Sequence, residues 1–320
     1  MKVLPVFLSP QWLLHHVQLS SVPLRATALD LAILAGHMLL YPSGITDERQ
    51  ADLPLGAPGG GPTGGPIADS LATPPAGTAL SSAARLSKPR GAPPGESPAA
   101  HPPRVGQEHR PVVMLHGFVD NRSVFVLLRR SLLRHGWQHA VSLNYSLLTY
   151  DIRAAAELLG RHIEEICNRT GHQDVDIVGH SLGGLIARYY VQRLGGDSRV
   201  RTLVTLGTPH GGTQIAQLMS AHPLARQMLP RSDVIEELRG PAPGCRTRFV
   251  SFWSDLDHLM IPIEAGCIDH PDLITTNVRV SGIGHLALPV HPAVAAAIRQ
   301  ALDSPDEVSA GAQECVISVA

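Results

Sequence analysis

Residues 174–184 carry the most informative pattern in this 320-residue chain, Asp174-Val-Asp-Ile-Val-Gly-His-Ser-Leu-Gly-Gly184. It begins with a short apolar run that is typical of a buried parallel strand, and a helical pattern from Leu182 follows Ser181. Glycine at positions 179 and 183 leaves room around a sharp turn, where a β-carbon would collide with a neighbouring strand or helix. The pattern predicts a strand, a strained turn that lifts the Ser181 hydroxyl above the sheet, and a helix whose N-terminus favours negative charge.

The segments on either side of this motif alternate between strand and helix patterns. Strands are predicted at Pro111–Leu115, Ala140–Tyr145, Val175–Gly179, Val200–Gly207, Arg248–Trp253 and Asn277–Ser281. Helices are predicted at Arg122–Arg134, Asp151–Arg169, Leu182–Leu194 and Val290–Leu302. This alternation predicts an α/β fold with a mainly parallel central sheet flanked by helices, over residues 107–303, followed by a tail at 304–320.

Composition separates this regular part from the residues before it. Residues 51–100 hold 9 of the 30 glycines and 10 of the 27 prolines, with no apolar period between them. We predict a flexible, disordered Gly/Pro/Ala-rich linker at 51–106, and an ordered proline-rich arm on the domain surface is the alternative. The net charge of −1 argues against a nucleic-acid-binding protein, and the 44% of hydrophobic residues are enough for a sizeable core.

Residues 1–50 form an apolar segment that is interrupted by Arg25, Asp30 and His37. Its uninterrupted apolar stretches are too short for a membrane-spanning helix. We predict an amphipathic helix over about residues 26–40, lying on a membrane or on the main domain, which makes the segment a candidate for membrane association. A divergent export signal is the alternative. Because the amphipathic helix is preferred, a cytoplasmic or membrane-associated protein is favoured over a secreted one.

The four cysteines carry little functional information. No C-x-x-C pair occurs, which excludes a zinc ribbon and a thioredoxin-type redox site. Cys245 and Cys267 flank one predicted strand and would be able to form a disulfide bond in an exported protein, whereas four unpaired thiols are the other interpretation.

A serine hydroxyl needs a base before it can act as a nucleophile, and position selects that base among 17 histidines. In this kind of sheet the acid and the base follow later strands, in the order Ser, acid, His. His285 comes after the last predicted strand, in a loop with glycine at 282 and 284, and is our predicted base. His291 is expected to point elsewhere, and His210 and His270 are expected on the surface or in supporting positions.

Two carboxylates follow the preceding strand and compete for the role of the acid. We prefer Asp257 over Asp255, because Asp257 lies deeper in its loop and an apolar run follows it. The pair Asp257-His258 also resembles half of a metal site, but the sequence offers no second set of ligands at a suitable spacing, so no metal is predicted.

Two backbone N–H groups are candidates for the oxyanion hole. Leu182 follows the serine, and Phe118 follows His116-Gly117 at the end of the first predicted strand, where an ordinary strand-end turn is the other interpretation. Apolar residues near these positions predict an acyl-binding groove, formed by Phe118, Val119, Leu182, Met260, Leu286 and Leu288.

Taken in order, five motifs resemble those of the bacterial, actinobacterial-type lipase/esterase branch of the α/β-hydrolase superfamily. They are Pro111–Phe118, Gly179–Gly184, Gly207–His210, the loop Ser254–Asp257, and Gly284-His285. The resemblance implies the α/β-hydrolase fold and a triad of Ser181, Asp257 and His285 with oxyanion donors Phe118 and Leu182. It also implies a small, lid-poor enzyme. The residues between the predicted strands that end at Gly207 and begin at Arg248 leave room for a partial cap, with short helices predicted at Gln214–Met219, Pro223–Met228 and Asp233–Arg239.

The activity that the resemblance implies is hydrolysis of a small-molecule or lipid ester by a monomer that needs no cofactor. An acyl thioesterase, an acyltransferase and a polyester hydrolase would use the same residues, and a noncatalytic protein on a hydrolase fold is the alternative from another class.

Overall fold

The structure, a computed structural model, describes residues 27–30, 32, 109–118, 120–144, 150–304 and 313–318. All of these residues lie in one compact unit. The predicted linker at 51–106 and most of the predicted N-terminal helix lie outside the described residues. Of that helix, residues 27–30 and 32 are helical and are called the N-terminal helical segment below.

Within the described residues, seven strands form one sheet, and every neighbouring pair runs parallel. In chain order they are β1 (Val112–Leu115), β2 (Ala140–Leu143), β3 (Val175–His180), β4 (Val200–Leu206), β5 (Arg248–Ser254), β6 (Ile274–Ser281) and β7 (Gln313–Ser318). Their spatial order is β2-β1-β3-β4-β5-β6-β7. The predicted α/β fold with a parallel sheet is therefore confirmed.

Strand β7 was not predicted, because the sequence analysis placed the last strand at Asn277–Ser281 and treated 304–320 as a tail. In the structure Gln313–Ser318 pairs in parallel with β6 and forms one edge strand of the sheet. The apolar run in this segment, Cys315–Ile317, is short, so the strand depends on a partner that local sequence does not reveal.

Helices cover the connections between the strands. They are α1 (Val126–Arg134), α2 (Ile152–Thr170), α3 (Leu182–Arg193), α4 (Pro223–Gln227), α5 (Asp233–Arg239) and α6 (Pro292–Asp303). Short 3-10 turns occur at Arg122–Phe125, Gly196–Ser198, Gln214–Met219 and Ile263–Gly266. The longest helix, α2, begins where the Asp151 carboxylate accepts a hydrogen bond from the Arg153 N–H, and it ends at Gly171 in the left-handed conformation.

The sheet is buried on both faces by two hydrophobic clusters. One cluster joins sheet residues such as Ile177 to α2 and α3, and the other joins residues such as Val178 to α1 and α6. Because successive side chains of a strand point to opposite faces, the apolar runs of β1 and β3 supply both clusters. The carboxyl ends of the strands are left to the loops, which is where ligands bind in open parallel sheets.

Two further observations concern the predictions about membrane spans and about cysteine pairing. In the part of the chain that the structure describes, we find no helix with the length and apolarity to cross a membrane. Cys167, Cys245 and Cys267 have free thiols, so the structure holds no bond between Cys245 and Cys267.

Candidate active site

Ser181 lies at the junction of β3 and α3 in a backbone conformation that L-residues rarely adopt. Its φ is 52° and its ψ is −120°. The turn is held by the Ser181 N–H, which donates to the Leu206 carbonyl at 2.9 Å, and by the Thr208 hydroxyl, which donates to the Ser181 carbonyl at 3.0 Å. Strain of this kind persists only where the surroundings fix it, and it is concentrated at functional sites.

The flanking glycines are required by close backbone approach. A β-carbon on Gly179 would lie 2.6 Å from the Cα of Gly184, and one on Gly183 would lie 2.6 Å from the His116 carbonyl oxygen. Real β-carbons do not occupy such positions, so both glycines allow the turn to pack between β1 and α3. This is the steric role that the sequence pattern predicts for them.

The side chains of His285 and Asp257 are in contact, although they are 28 positions apart in the sequence. The Nδ1 of His285 lies 2.6 Å from Oδ2 of Asp257, and both side chains are buried. The other carboxylate oxygen, Oδ1, accepts the Leu259 N–H at 2.9 Å, so both oxygens of Asp257 are held. Such a short contact between a buried carboxylate and an imidazole fixes the ring and leaves Nε2 for another partner.

The electrostatic surroundings of His285 favour its protonated form. Burial disfavours the charged ring, but the nearby Asp257 carboxylate and its hydrogen bond outweigh burial, so the pKa of His285 is raised above its ordinary value of 6.5. Asp120 and Asp30 act in the same direction. An imidazolium formed at this position is therefore stabilised by several carboxylates.

Asp255, the alternative acid, has a different environment. Its carboxylate lies 3.1 Å from the Arg279 guanidinium and accepts the Gly282 N–H at 3.3 Å. It is therefore a loop residue that braces the end of β6, while Asp257 is the carboxylate that contacts His285.

Gly207, at the end of β4, lies against this pair. It has a φ of +54°, and a β-carbon on it would lie 2.9 Å from Nδ1 of His285 and 3.0 Å from Oδ2 of Asp257. The turn that begins at Gly207, one of the five motifs of the family resemblance, therefore lies directly beside the predicted acid and base.

A second buried carboxylate–imidazole pair, which the sequence analysis missed, adjoins the first. Oδ2 of Asp120 lies 3.0 Å from Nδ1 of His180, and Nε2 of His180 lies 3.3 Å from the carbonyl oxygen of His285. The rings of His180 and His285 are 4.9 Å apart. The pair therefore links the loop after β1 to the loop that carries His285. In the sequence, Asp120 is simply a polar residue four positions after His116, and this local position does not predict a contact with His180.

The two residues predicted as oxyanion donors lie at the carboxyl ends of adjacent strands, β1 and β3. Leu182 is the first residue of α3 and is fully buried. Phe118 follows β1, lines the cavity beside Ser181, and contacts the His222 ring edge-on at a centroid distance of 5.0 Å.

A cavity opens over Ser181 and His285 and contains about 530 Å³ of empty space, part of it continuous with solvent. Its wall is largely apolar and includes Phe118, Ile215, Met219, Met228, Met260 and Leu286. Ile215 and Met219 belong to the 3-10 turn Gln214–Met219, so the short helical elements after β4 do cover one side of the cavity. A narrow apolar cavity with few polar groups suits a hydrocarbon chain.

The predicted substrate-binding residues divide three ways. Met260 and Leu286 line the cavity. Leu288 is fully buried in the core cluster that packs α1 and α6 on the sheet, which places it away from the cavity wall. Val119 lies outside the described residues.

The other histidines have structural partners. His291 caps α6, with Nδ1 accepting the Ala293 N–H at 3.3 Å. His210 and His270 are both buried, so a surface position for them is wrong. Burial and the nearby Arg188 hold the pKa of His210 well below its ordinary value. Among the residues that the structure describes, no three His, Cys, Asp or Glu side chains come together in a way that would hold a metal ion.

Comparisons with known proteins give one family match and one curated relative. Residues 111–251 match the family described as Palmitoyl protein thioesterase. A triacylglycerol lipase from Pseudarthrobacter phenanthrenivorans is 28% identical over 117 residues, which cover 34% of this chain and 36% of the lipase. The chain thus matches about a third of the length of that relative.

Two solved lipases share the fold at low sequence identity. The mature lipase BlEst2 of Bacillus licheniformis is 15% identical with a TM-score of 0.52, and the alignment covers 64% of this chain and 96% of that chain. Lipase B of Aspergillus fumigatus is 17% identical with a TM-score of 0.54, and the alignment covers 66% of this chain and 58% of that chain. The parallel sheet and these two structures show that the chain has the α/β-hydrolase fold. In sequence, the chain is similar to a thioesterase family and to a triacylglycerol lipase.

Proposed function

We propose that this protein is a serine carboxylic-ester hydrolase that cleaves acyl esters through an acyl-enzyme intermediate. The observation that carries the proposal is the strained Ser181 turn, which opens into the same cavity as His285 while Asp257 holds the far side of that imidazole. A nucleophile, a base and an orienting acid are the three parts that acyl transfer by serine requires.

In the proposed reaction, Nε2 of His285 takes the proton of Ser181 as its oxygen attacks the ester carbonyl. The N–H groups of Phe118 and Leu182 bind the resulting oxyanion, and each such donor lowers the barrier by about 3 kcal/mol. His285 then protonates the leaving alcohol, and water releases the acyl group by the same route. Asp257 holds the tautomer and stabilises the imidazolium, which agrees with the raised pKa of His285.

The apolar cavity wall supports an acyl chain as the bound part of the substrate. The side chains of Ile215, Met219, Met228 and Met260 offer hydrocarbon contact, at roughly 0.8 kcal/mol for each buried CH₂. We therefore place the proposed substrate among small-molecule or lipid esters with medium-length chains.

A thioester is the second candidate substrate, because residues 111–251 match the Palmitoyl protein thioesterase family. The two candidates differ in the leaving group, and the fold and triad do not fix that group. Rates with p-nitrophenyl esters of increasing chain length, compared with acyl-CoA thioesters of the same chains, separate them.

The test of the proposal is hydrolysis of p-nitrophenyl esters by the wild-type protein and by Ser181→Ala. We expect the variant to fall to the background rate while its thermal unfolding stays that of a folded protein, because alanine removes only the nucleophilic oxygen. Hydrolysis at the wild-type rate by the folded variant would overturn the assignment.

A further inference from the structure

The N-terminal helical segment, residues 27–30 and 32, reaches the loop that carries His285. Oδ1 of Asp30 accepts the Ala287 N–H at 3.2 Å, across 257 positions of sequence. The Leu286 N–H also contributes to holding this carboxylate. The turn immediately after His285 is therefore capped by a residue from outside the predicted catalytic domain.

The residue before His285 shows how close this approach is. A β-carbon on Gly284 would overlap both oxygens and the carboxyl carbon of Asp30. The carboxylate thus occupies the space that a side chain would take at position 284. The carboxylate therefore holds the loop on both sides of His285, by packing against Gly284 and by accepting the Ala287 N–H.

The charges around His285 give this contact an electrostatic consequence. Four groups face the ring: Asp257, which holds Nδ1, Asp120 and Asp30, which attract a positive charge, and the His180 ring. Asp30 is half-buried, and burial raises its pKa while His285 and the Ala287 N–H oppose the rise. The two groups are close enough for each to affect the titration of the other.

We propose that Asp30 is a positioning residue for His285, which makes the N-terminal helical segment part of the active-site shell. The inference rests on the proposed function, in which His285 is the base. Asp30 makes no direct contact with the reacting atoms in this arrangement. It acts by fixing the backbone on both sides of His285 and by adding negative charge beside the ring.

Two substitutions in the full chain separate these two effects. Asp30→Asn keeps an oxygen that can accept the Ala287 N–H and removes the charge. Asp30→Ala removes both. Glu157→Gln is the matched control, because it removes one carboxylate charge at an exposed position of α2. Each variant is assayed for kcat, KM and the pH dependence of kcat/KM with a p-nitrophenyl ester.

We expect Asp30→Ala to lower kcat about tenfold with little change in KM, because displacing a catalytic group by about 1 Å can cost up to a hundredfold. In Asp30→Asn the acid limb of the kcat/KM profile should move to lower pH, because the imidazolium loses a nearby negative charge. A purely structural contact would leave that limb in place. Glu157→Gln should change neither quantity.

The inference is wrong if Asp30→Asn keeps the wild-type acid limb and Asp30→Ala, where it folds, keeps the wild-type kcat. The asparagine variant decides the matter if the alanine variant does not fold. That failure is separable from failure of the proposed function: an inactive Ser181→Ala with unchanged Asp30 variants removes only the role of Asp30. A fully active Ser181→Ala removes both.

Discussion

The assignment of the acid is tested by Asp257→Asn and Asp255→Asn, made as a matched pair in one loop. In Asp257→Asn the new side chain has one oxygen and one NH₂ group to distribute. The Leu259 N–H donates to Oδ1 at 2.9 Å and fixes the oxygen on that side. The NH₂ group then faces Nδ1 of His285, which lies 2.6 Å from Oδ2 in the wild-type protein. An NH₂ group donates a proton, so Nδ1 must accept and Nε2 must carry the hydrogen.

A ring in that tautomer is unable to take the proton of Ser181. The expected loss in kcat is about 10⁴-fold, as found when a triad acid is replaced by its amide. At about 1.4 kcal/mol for each factor of ten, this corresponds to about 5 kcal/mol of added barrier. The kcat of Asp255→Asn should stay within a few-fold of wild type, because Asp257, not Asp255, is the carboxylate that contacts His285. The variant should also fold, because the partly exposed ion pair of Asp255 with Arg279 contributes about 1 kcal/mol or less to stability.

The assay is kcat for a p-nitrophenyl ester at a pH above the pKa of His285, with thermal unfolding to show that both variants fold. A ratio of about 10³ or more between the two variants supports the reasoning. Two results would refute it: an Asp257→Asn variant within tenfold of wild type, or an Asp255→Asn variant that loses as much activity as its neighbour.

Three further predictions follow from individual contacts. Gly207→Ala should lower kcat by about 10- to 100-fold without unfolding the protein, since its β-carbon would lie 2.9 Å from Nδ1 of His285; steady-state kinetics and circular dichroism check this. The kcat/KM profile should fall with decreasing pH through a pKa above 6.5, because the proposed base must be neutral and the pKa of His285 is raised; a limb below 6.5 would contradict this. Burial raises the pKa of Asp176 from 3.8 to about 6, against the attraction of Arg201, so the folded protein binds this proton more tightly than the unfolded chain does. The free energy of unfolding therefore loses up to about 3 kcal/mol as pH rises through that window. Asp176→Asn should remove that loss, which urea unfolding at pH 4 and pH 8 measures.

Much of the fold could be predicted because the parallel strands are buried on both faces. Their apolar runs, as in Val112–Leu115, are therefore continuous and end at glycine or at a helix start. The turn at Ser181 was predictable for a related reason. Gly179 is required by a backbone contact with Gly184 five residues later, and Gly183 by the close approach of β1, so the two glycines stand at a fixed spacing around the serine and leave a local pattern.

The remaining parts depend on contacts between distant residues. Strand β7 exists because β6 offers an unpaired edge, and the pairing of Asp120 with His180 spans 60 positions. Asp30 belongs to a segment whose sequence shows only an interrupted apolar run, and its meaning comes from the loop at residues 284–287. Leu288 shows the converse error: an apolar residue next to the site in sequence faces the core, because the chain turns toward α6 after His285.

In the proposed reaction Ser181 is an activated nucleophile, and labelling by a fluorophosphonate probe tests this role. Such probes form a covalent bond with a serine oxygen that a neighbouring base activates. Mass spectrometry of the labelled, folded protein should show one adduct per chain, on the peptide that contains Ser181, and no adduct in Ser181→Ala. Folded wild-type protein that remains unlabelled, or that carries its adduct on another serine, would contradict the account.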